Sequence, residues 1–386
     1  MIYNLTKQVC LFFLFVSLIY NIQAQAPYYP TQLWEVRSPQ ALHINKPLLD
    51  SAITLALNNE NKIERNLRIA NLKSYANEPN YTILGPMKTR GGPAGLIIKN
   101  GYIVAQWGDV ARVDMTFSVT KSYLSTIAGL AVDEGLIKNI SDKVSLYDTY
   151  EMYEGPHNSK ITWQHLLTHS SDWSGTLFGL HDWADRPPKE GTVEDWKNRK
   201  LLEPGTNFEY NDVRVNLLAY SLLQVWRKPL PMILKEKIMD AIGASNTWRW
   251  HGYDNSFVNI DGLMMQSVSG GGHFGGGIFI NTLDQARFGL LMLRNGKWNN
   301  TQLLSQKWIT STLQPSTANK NCGYLWWLNT DERWKNIDTT VHYAVGYGGN
   351  YIIVDKKNDL LVITRWIDDD KIAQLMQLVT KALDKP

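Results

Sequence analysis

Two strand hairpins near opposite ends of the sequence constrain this fold more than any other feature. Apolar residues fill 94–104 around a turn at 99–101, and two further apolar runs, 349–354 and 360–366, flank a polar turn. Each pattern is typical of paired strands joined by a short connection. Between the hairpins, residues 136–260 have mostly helical and loop patterns. The sequence therefore predicts a mixed α/β protein with a helical insertion.

Helical periodicity accompanies both ends of the chain. The predicted helices are 46–57, 118–134, 162–168, 213–225, 283–293 and 371–383. A glycine-rich stretch, 270–277, predicts a tight bend or a close backbone approach, and it lacks the ending of a phosphate loop. The predicted α/β part covers about 36–135 and 261–385, and the helical insertion covers about 136–260.

Residues 1–24 have the pattern of a secretory signal peptide. Lys7 precedes the apolar run 9–22, and the small Ala24 ends a suitable cleavage site. The alternative, an uncleaved membrane anchor, is disfavoured because the run is shorter than the ~20 residues that span a bilayer. The sequence thus predicts a mature protein of 25–385 in the periplasm or the medium.

Composition narrows the partners of the mature chain. The 386 residues are 44% hydrophobic and 19% charged, which is ordinary for a globular protein. Loss of Lys7 lowers the formal net charge from +3 to +2, and no run of five or six basic residues occurs, so nucleic acid is not a predicted partner. No second stretch predicts membrane insertion. Cleavage also removes Cys10 and leaves Cys322 without a disulfide partner.

The tetrapeptide Ser118-Val119-Thr120-Lys121 carries the clearest chemical signal. It opens a predicted helix, on which the Lys121 amine is within reach of the Ser118 hydroxyl. A serine needs a base to attack, and a lysine is that base only if burial or another cation keeps it neutral. This interpretation predicts a partly dry, electropositive pocket. The alternative is a surface serine that caps a helix beside a solvated lysine.

Two further groups carry polar chemistry. Tyr210-Asn211-Asp212 precedes a predicted helix, where a phenol can transfer a proton and its neighbours can orient a substrate or a lysine. The alternative is a turn with Asp212 as the helix N-cap. Gly346-Tyr347-Gly348-Gly349-Asn350 enters a strand, whose small residues would let a substrate lie along its edge. The alternative there is a strand that needs glycine for packing.

These three groups occur in the order and setting of a known superfamily. From about Val36 to Leu383 the chain resembles the penicillin-recognising serine hydrolases, which include class C β-lactamases, DD-peptidases, related esterases and 6-aminohexanoate-dimer hydrolases. The family's Ser-x-x-Lys motif is matched by Ser118 and Lys121, Tyr-x-Asn by Tyr210 with Asp212 in the amide position, and the third motif by Tyr347-Gly348-Gly349. Segments 165–171 and 284–288 are similar to supporting stretches, and 171–187 is more similar to the aminohexanoate-hydrolase branch.

The resemblance implies a fold, a mechanism and site residues. The fold is an antiparallel sheet flanked by helices, with a mostly helical second domain and the active site between them. Ser118 is implied to attack a small ester or amide, Lys121 to hold or take its proton, and Tyr210 to pass that proton to the leaving group. The implied oxyanion and substrate-binding residues are Asn350, with Ser118, for the oxyanion hole, and Asp212, Tyr347, Gly348 and Gly349. No cofactor and no metal is implied.

Departures from the family pattern bear on the substrate. Tyr347 stands where the third motif has a lysine that helps to bind a substrate carboxylate, which disfavours the alternative of a β-lactamase or DD-peptidase acting on cell-wall material. Arg365 either lies near Asn350 and supplies the missing cation, or is a solvated arginine at a strand end. The third alternative, a non-catalytic ligand-sensing module, does not require serine, lysine and tyrosine together.

The histidines predict no zinc site. His165 and His169 have the spacing of one helical face, but no glutamate follows His165 and no third ligand is evident. They are predicted to be packed or hydrogen-bonded residues. His273, in the glycine-rich stretch, is predicted to approach the site. The sequence predicts no particular oligomeric state.

Overall fold

The computed structural model describes residues 27–383, so the predicted signal peptide lies outside the described residues. The strands are β1 (Ala94–Lys99), β2 (Tyr102–Trp107), β3 (Asp114–Met115), β4 (Thr176–Leu177), β5 (Leu180–His181), β6 (Arg249–Ile260), β7 (Leu263–Val268), β8 (Gly277–Ile280), β9 (Lys297–Trp298), β10 (Thr301–Gln302), β11 (Trp327–Leu328), β12 (His342–Gly346), β13 (Asn350–Asp355) and β14 (Leu360–Arg365). The helices are α1 (Lys46–Asn58), α2 (Leu67–Tyr75), α3 (Thr120–Asp133), α4 (Gly155–Asn158), α5 (Trp163–Leu167), α6 (Val193–Lys197), α7 (Asp212–Trp226), α8 (Leu230–Leu234), α9 (Thr282–Leu293), α10 (Gln306–Thr312) and α11 (Ile372–Leu383).

The two predicted hairpins form four adjacent strands of one antiparallel sheet. Its six strands lie in the order β11-β12-β13-β14-β1-β2. The early hairpin joins the late one where β1 pairs with β14, from Ala94 opposite Arg365 to Lys99 opposite Leu360. The first and last thirds of the chain therefore share one sheet, and the segment between them packs as a separate layer.

Both faces of this sheet are covered by helices. Ile352 and Val354 of β13 pack into the core on the α3 and α9 side, whereas Ile353 between them packs into the core with α1 and α11. Residues of a strand alternate between faces, so a strand buried on both sides is a continuous apolar run. This explains why β13 and β14 are easily recognised in the sequence.

A second sheet was not predicted. Its four strands lie in the order β3-β8-β6-β7, and β6 covers 12 residues within the range interpreted as helix and loop. The polar residues inside β6 give it no apolar strand pattern in the sequence. Arg249, at one end of β6, pairs with the distant Phe279, whereas Ile260, at the other end, pairs with Leu263 across the Asp261-Gly262 turn. The segment interpreted as helical therefore ends in a strand that returns to the α/β part.

The predicted fold class is confirmed. Antiparallel sheets are flanked by helices, and α3 to α8 form the mostly helical layer around the site. All six predicted helices are present, with ends that differ by at most two residues. Within residues 27–383, every helix is too short or too polar to cross a bilayer.

Candidate active site

Ser118 lies where the chain turns from β3 into α3. It is the middle residue of a 3-10 turn, Phe117–Val119, and the α-helix begins at Thr120. Phe117 has a φ of +48°, a left-handed conformation that costs a residue with a side chain about 1–3 kcal/mol. Tyr347 and Trp366 pack edge-on against its ring, with centroids 5.3 and 6.4 Å away. This packing maintains the bend that brings Ser118 to the cavity.

Lys121 is held between three oxygen atoms. Its Nζ donates to Ser118 Oγ at 2.8 Å and to the Gly270 carbonyl at 3.2 Å, and it lies 2.6 Å from Asp212 Oδ1. Burial alone would lower the pKa of Lys121, but the charge of Asp212 and contact with Tyr210 raise it above its ordinary value. Lys121 is therefore an ammonium. The predicted neutral lysine in an electropositive pocket is wrong, because its close neighbour is a carboxylate.

Asp212 is held in position by the start of α7. Burial would raise the pKa of its carboxyl group, but Lys121 and Arg186 hold that pKa below its ordinary value. The N-cap of α7 is Asn211, whose side chain accepts the Arg214 N–H at 3.0 Å, so the alternative with Asp212 as the cap is wrong. The Asp212 amide donates to Asp185 Oδ2 at 2.6 Å. The Asp212 carboxylate thus remains available to Lys121.

The glycine-rich stretch passes against both groups. A Cβ on Gly271 would lie 2.2 Å from the Phe117 carbonyl oxygen, and one on Gly272 would lie 2.1 Å from Asp212 Oδ2. A side chain at either position would displace the nucleophile's turn or the lysine's partner. The predicted close backbone approach is confirmed.

Tyr210 stands beside the nucleophile as a protonated phenol. Its ring is 5.0 Å from Lys121 Nζ and 4.9 Å from Arg186 Cζ, and it stacks on His169 at 4.7 Å. Burial raises the pKa of Tyr210 above its ordinary value, although the Lys121 charge and hydrogen bonds with Ser118 and Lys121 oppose this shift. Burial and the Lys121 charge lower the pKa of His169 to about 3, so His169 is a neutral packing partner, as predicted.

The end of β12 forms the opposite wall, which contains Val345, Gly346 and Tyr347. A Cβ on Gly346 would lie 3.2 Å from the Ser118 nitrogen, so this strand end lies directly against the nucleophile. Val345 and Ser118 also line a second, smaller cavity beneath the first.

The register of β12 predicts the direction of the Val345 N–H. In an antiparallel ladder, alternate residues direct their N–H groups to the same edge. On the β11 edge, the Asn329 N–H donates to the Val341 carbonyl at 3.0 Å, and Tyr343 pairs with Trp327. Val345 is next in this alternation, and β11 begins at Trp327, so within 27–383 no strand lies opposite it. We therefore expect the Val345 N–H to face the β11 edge without a strand partner, on the side where Val345 and Ser118 line the same cavities.

Asn350 does not line either cavity of the site. Its Nδ2 donates to the Tyr347 carbonyl at 2.8 Å, and its side chain closes the turn between β12 and β13. Gly348 and Gly349, with φ of +84° and +77°, form that turn, and a Cβ on Gly349 would lie 1.6 Å from the Ile367 oxygen. Asn350, Gly348 and Gly349 thus lie outside the lining of both cavities, whereas Tyr347 lines the larger one.

Arg365 is buried behind the same turn. Its guanidinium donates to the Ile280 carbonyl at 2.7 Å and to Asn350 Oδ1 at 3.4 Å, and the residue is 2% exposed. Burial lowers its pKa to about 10. Arg365 lies near Asn350 as predicted, but Asn350 is outside the cavity, so the carboxylate-binding role is wrong. The alternative of a solvated arginine is also wrong.

A cavity of about 280 Å³ joins these groups. Ser118, Tyr210 and Asp212 lie at its floor, and His273 lines it, as predicted. The aromatic side chains of its walls are Tyr75, Phe117, Tyr210, Trp327 and Tyr347. A largely apolar cavity with a few convergent polar groups is typical of a small-molecule site.

A model of the Beta-lactamase family matches residues 112–365, more than half of the chain. This protein belongs to the β-lactamase family. That family comprises serine hydrolases, including carboxylesterases and amidases, so the resemblance inferred from the motifs is confirmed. A search of curated sequences found no match.

Solved structures share the fold of this β-lactamase-family protein. A Bacillus anthracis protein assigned as a 6-aminohexanoate-dimer hydrolase is 16% identical over 75% of this chain and 78% of its own, with a TM-score of 0.57. EstCE1, a hydrolase with promiscuous acyltransferase activity, is 15% identical over 82% and 97%, with a TM-score of 0.55. A β-lactamase/D-alanine carboxypeptidase from Pseudomonas syringae is 13% identical over 82% and 98%, with a TM-score of 0.53. These identities indicate a shared fold and no particular substrate.

The sequence motifs missed a buried layer behind the site of this β-lactamase-family protein. Asp185 is 1% exposed, and its Oδ2 also accepts from Arg186 at 2.5 Å. The His273 ring lies between two carboxylates, with Nδ1 3.2 Å from Asp185 Oδ1 and Nε2 3.4 Å from Glu78 Oε2. The only sequence signal was the run of acidic and aromatic residues at 182–187.

Asp185, Asp212 and His273 are close enough to share a metal ion. The charges around them disfavour one, because Asp212 already pairs with Lys121 and Asp185 with Arg186, at 2.6 and 2.5 Å. A divalent ion there would lie beside two fixed cations. The arrangement fits an imidazole held between carboxylates better than a metal centre.

Proposed function

We propose that this protein is an exported serine hydrolase that cleaves an ester or amide bond through an acyl-enzyme on Ser118. The observation that carries the proposal is the 2.8 Å contact between Lys121 Nζ and Ser118 Oγ at the floor of an aromatic cavity, with Tyr210 beside both. A surface cap with a solvated lysine would not bury Lys121 to 3% exposure.

In the acylation step, Ser118 Oγ bonds to the acyl carbon and the bond to the leaving group breaks. The Ser118 proton passes to the Tyr210 oxygen while the Tyr210 proton passes to the leaving oxygen or nitrogen, which departs as an alcohol or amine. This relay uses the neutral phenol that the raised pKa of Tyr210 provides. The Lys121 ammonium donates a hydrogen bond to Oγ and stabilises its developing negative charge.

The backbone N–H groups of Ser118 and Val345 stabilise the carbonyl oxygen as it becomes an anion. Support for Val345 comes from its position at the unpaired edge of β12, beside the nucleophile. One such donor typically contributes about 3 kcal/mol to transition-state stabilisation. In deacylation, water replaces the leaving group: its proton passes to Tyr210, the Tyr210 proton returns to Ser118 Oγ, and the acid is released.

The alternatives are less well supported. Penicillins and D-alanyl peptides carry a carboxylate, but the cavity-lining end of β12 has Val345, Gly346 and Tyr347, and Arg365 is turned away. A non-catalytic sensor would not need Ser118, Lys121 and Tyr210 in mutual contact.

Labelling and turnover test the proposal together. Mature protein is incubated with a fluorophosphonate, a 4-nitrophenyl ester and a penicillin, and adducts are followed by mass spectrometry alongside release of nitrophenol. We expect labelling and ester turnover in the wild type and in Ser125→Ala, a buried serine on the same helix, and neither in Ser118→Ala. A labelled, active Ser118→Ala would refute the nucleophile, and stable acylation without turnover would favour a sensor.

Cell fractionation and N-terminal sequencing test export. We expect the mature protein in the periplasm or medium to begin near Gln25. An intact leader on a protein retained in the cytoplasm would contradict the proposal.

A further inference from the structure

The charged groups around the cavity include no excess of cations. On the helical side, three carboxylates face two fixed cations and one imidazole. These groups are Glu78, Asp185, Asp212, Lys121, Arg186 and His273. A neutral imidazole leaves this wall with one excess negative charge, and a protonated one makes it neutral. In either protonation state of His273, the positive charges of this wall do not outnumber its negative charges.

Asp369 adds a further negative charge at the opposite rim. It lines the cavity, and its Oδ1 accepts the Tyr351 hydroxyl at 2.8 Å. Within residues 27–383, no lysine, arginine or histidine nitrogen lies within 4.0 Å of this carboxylate, whereas Asp212, the other acidic residue of the lining, pairs with Lys121. Asp369 is therefore a carboxylate of the lining that has no ion-pair partner among the described residues.

Two nearby groups do not compensate Asp369. The Arg333 guanidinium does not form an ion pair with Asp369. It lies 5.9 Å from the centroid of Trp327 and donates a hydrogen bond to the Tyr343 hydroxyl at 3.4 Å. Desolvation, the largest cause, and repulsion from Asp368 and Asp370 raise the pKa of Asp369, although the Tyr351 hydrogen bond and the Arg333 charge oppose the shift. A raised pKa means that the charged carboxylate lacks stabilisation, which a bound cation would supply.

The aromatic lining of the cavity suits an organic cation. Trp327 and Tyr347 both line the cavity, and aromatic faces attract ammonium groups by about 0.5–1 kcal/mol at exposed sites. An anionic group would instead meet Asp369 and a helical wall without excess positive charge. Arg186, the half-exposed cation of the lining, is already bonded to Asp185 at 2.5 Å.

From this geometry we infer that the cavity selects esters or amides whose acyl or leaving group carries a quaternary or primary ammonium, and that Asp369 is the residue that recognises it. This inference rests on the proposed hydrolase activity and specifies its substrate class.

Two series of matched esters test the inference. In the acyl series, the 4-nitrophenyl ester of 4-(trimethylammonio)butanoate is compared with its neutral isostere, the 5,5-dimethylhexanoate, and with the anionic glutarate monoester. In the leaving-group series, butyrylcholine is compared with 3,3-dimethylbutyl butyrate and O-butyrylglycolate. Because a 4-nitrophenol chromophore is present only in the first series, kcat/KM for both is measured by pH-stat titration.

In at least one series, we expect the cationic ester to exceed its neutral isostere by about fivefold to tenfold in kcat/KM, and the anionic ester to be the poorest. Asp369→Asn keeps an acceptor for Tyr351 and should lower kcat/KM for the cationic ester about fivefold to tenfold more than for the neutral ester, so that the preference disappears. Asp370→Asn, which alters a neighbouring acid outside the cavity lining, should retain it.

Equal rates for cationic and neutral esters in both series, a preference for the anionic esters, or a preference that survives Asp369→Asn would overturn the inference while leaving the hydrolase intact. Absence of both ester turnover and fluorophosphonate labelling would instead overturn the proposed function, and the substrate class with it.

Discussion

The Lys121 ammonium lies 2.6 Å from Asp212 Oδ1 and 2.8 Å from Ser118 Oγ, so one buried cation connects the nucleophile to a carboxylate. The side chains of Lys121 and Asp212 are 4% and 2% exposed. Removing one member of a buried ion pair typically costs about 3–5 kcal/mol, because the other charge loses its compensation. We therefore expect Lys121 to keep its proton through the proposed catalytic cycle and proton transfer to fall to Tyr210.

The Asp212→Asn variant tests this assignment. Asp212 raises the pKa of Lys121, so its replacement leaves burial to lower that pKa, and the ammonium is lost at lower pH. If the ammonium is the active form, the alkaline limb of the kcat/KM profile moves to lower pH. Asp182→Asn, which removes another buried carboxylate bound to Arg199, should lower stability without moving the limb. Increased activity at neutral pH in Asp212→Asn would instead identify Lys121 as a free-amine base.

Tyr210→Phe removes the proton relay and keeps the ring. Because the stacking on His169 is retained, we expect kcat to fall about 10²–10⁴-fold with little change in stability. Steady-state kinetics and thermal unfolding measure the two effects. Tyr123→Phe is the control: within the described chain its buried hydroxyl has no hydrogen-bond partner, so removing it should leave activity unchanged and stability equal or higher. A fully active Tyr210→Phe would exclude the relay.

Val345→Pro removes the backbone donor assigned to the oxyanion. Proline is tolerated where a strand N–H faces away from the sheet, so the fold should persist. We expect a loss of about 10²–10³ in kcat, whereas Val345→Ala, which keeps the N–H, should remain close to wild type. Circular dichroism verifies folding of both variants. Similar kcat values for the proline and alanine variants would disprove the assignment.

His342 makes the protein sensitive to acid. Burial lowers its pKa to about 3 from an ordinary 6.5, so the unfolded chain binds a proton that the folded chain does not. The stabilising effect is complete above pH 6.5 and is lost as the pH falls toward 3, at about 1.4 kcal/mol per pH unit. Urea unfolding between pH 7 and 4 should show a shallower decline for His342→Asn than for wild type. His43→Asn, at an exposed position, should parallel the wild type, and three parallel curves would contradict the prediction.

Some strands could be predicted from their local sequence pattern, whereas others depend on contacts with other strands. β13 and β14 were predictable because burial on both faces makes them continuous apolar runs. β6 was not, because its polar residues become strand only through pairing with β7 and β8. Tyr347 lines the cavity, as its motif predicted. Gly348 and Gly349 form a tight turn directly after it, so the residues that follow Tyr347 in this motif lie outside the cavity lining.

The sequence alone determined the hairpins, the main helices and the contact of Ser118 with Lys121, because these depend on apolar periodicity and on neighbours three residues apart. Only the tertiary structure decided which carboxylate pairs with Lys121, the place of Val345 beyond the β11 pairing and the burial of Arg365. These properties arise where segments distant in the sequence meet: Asp212 reaches Lys121 from another helix, β11 ends before Val345, and Ile280 binds Arg365 from a different sheet.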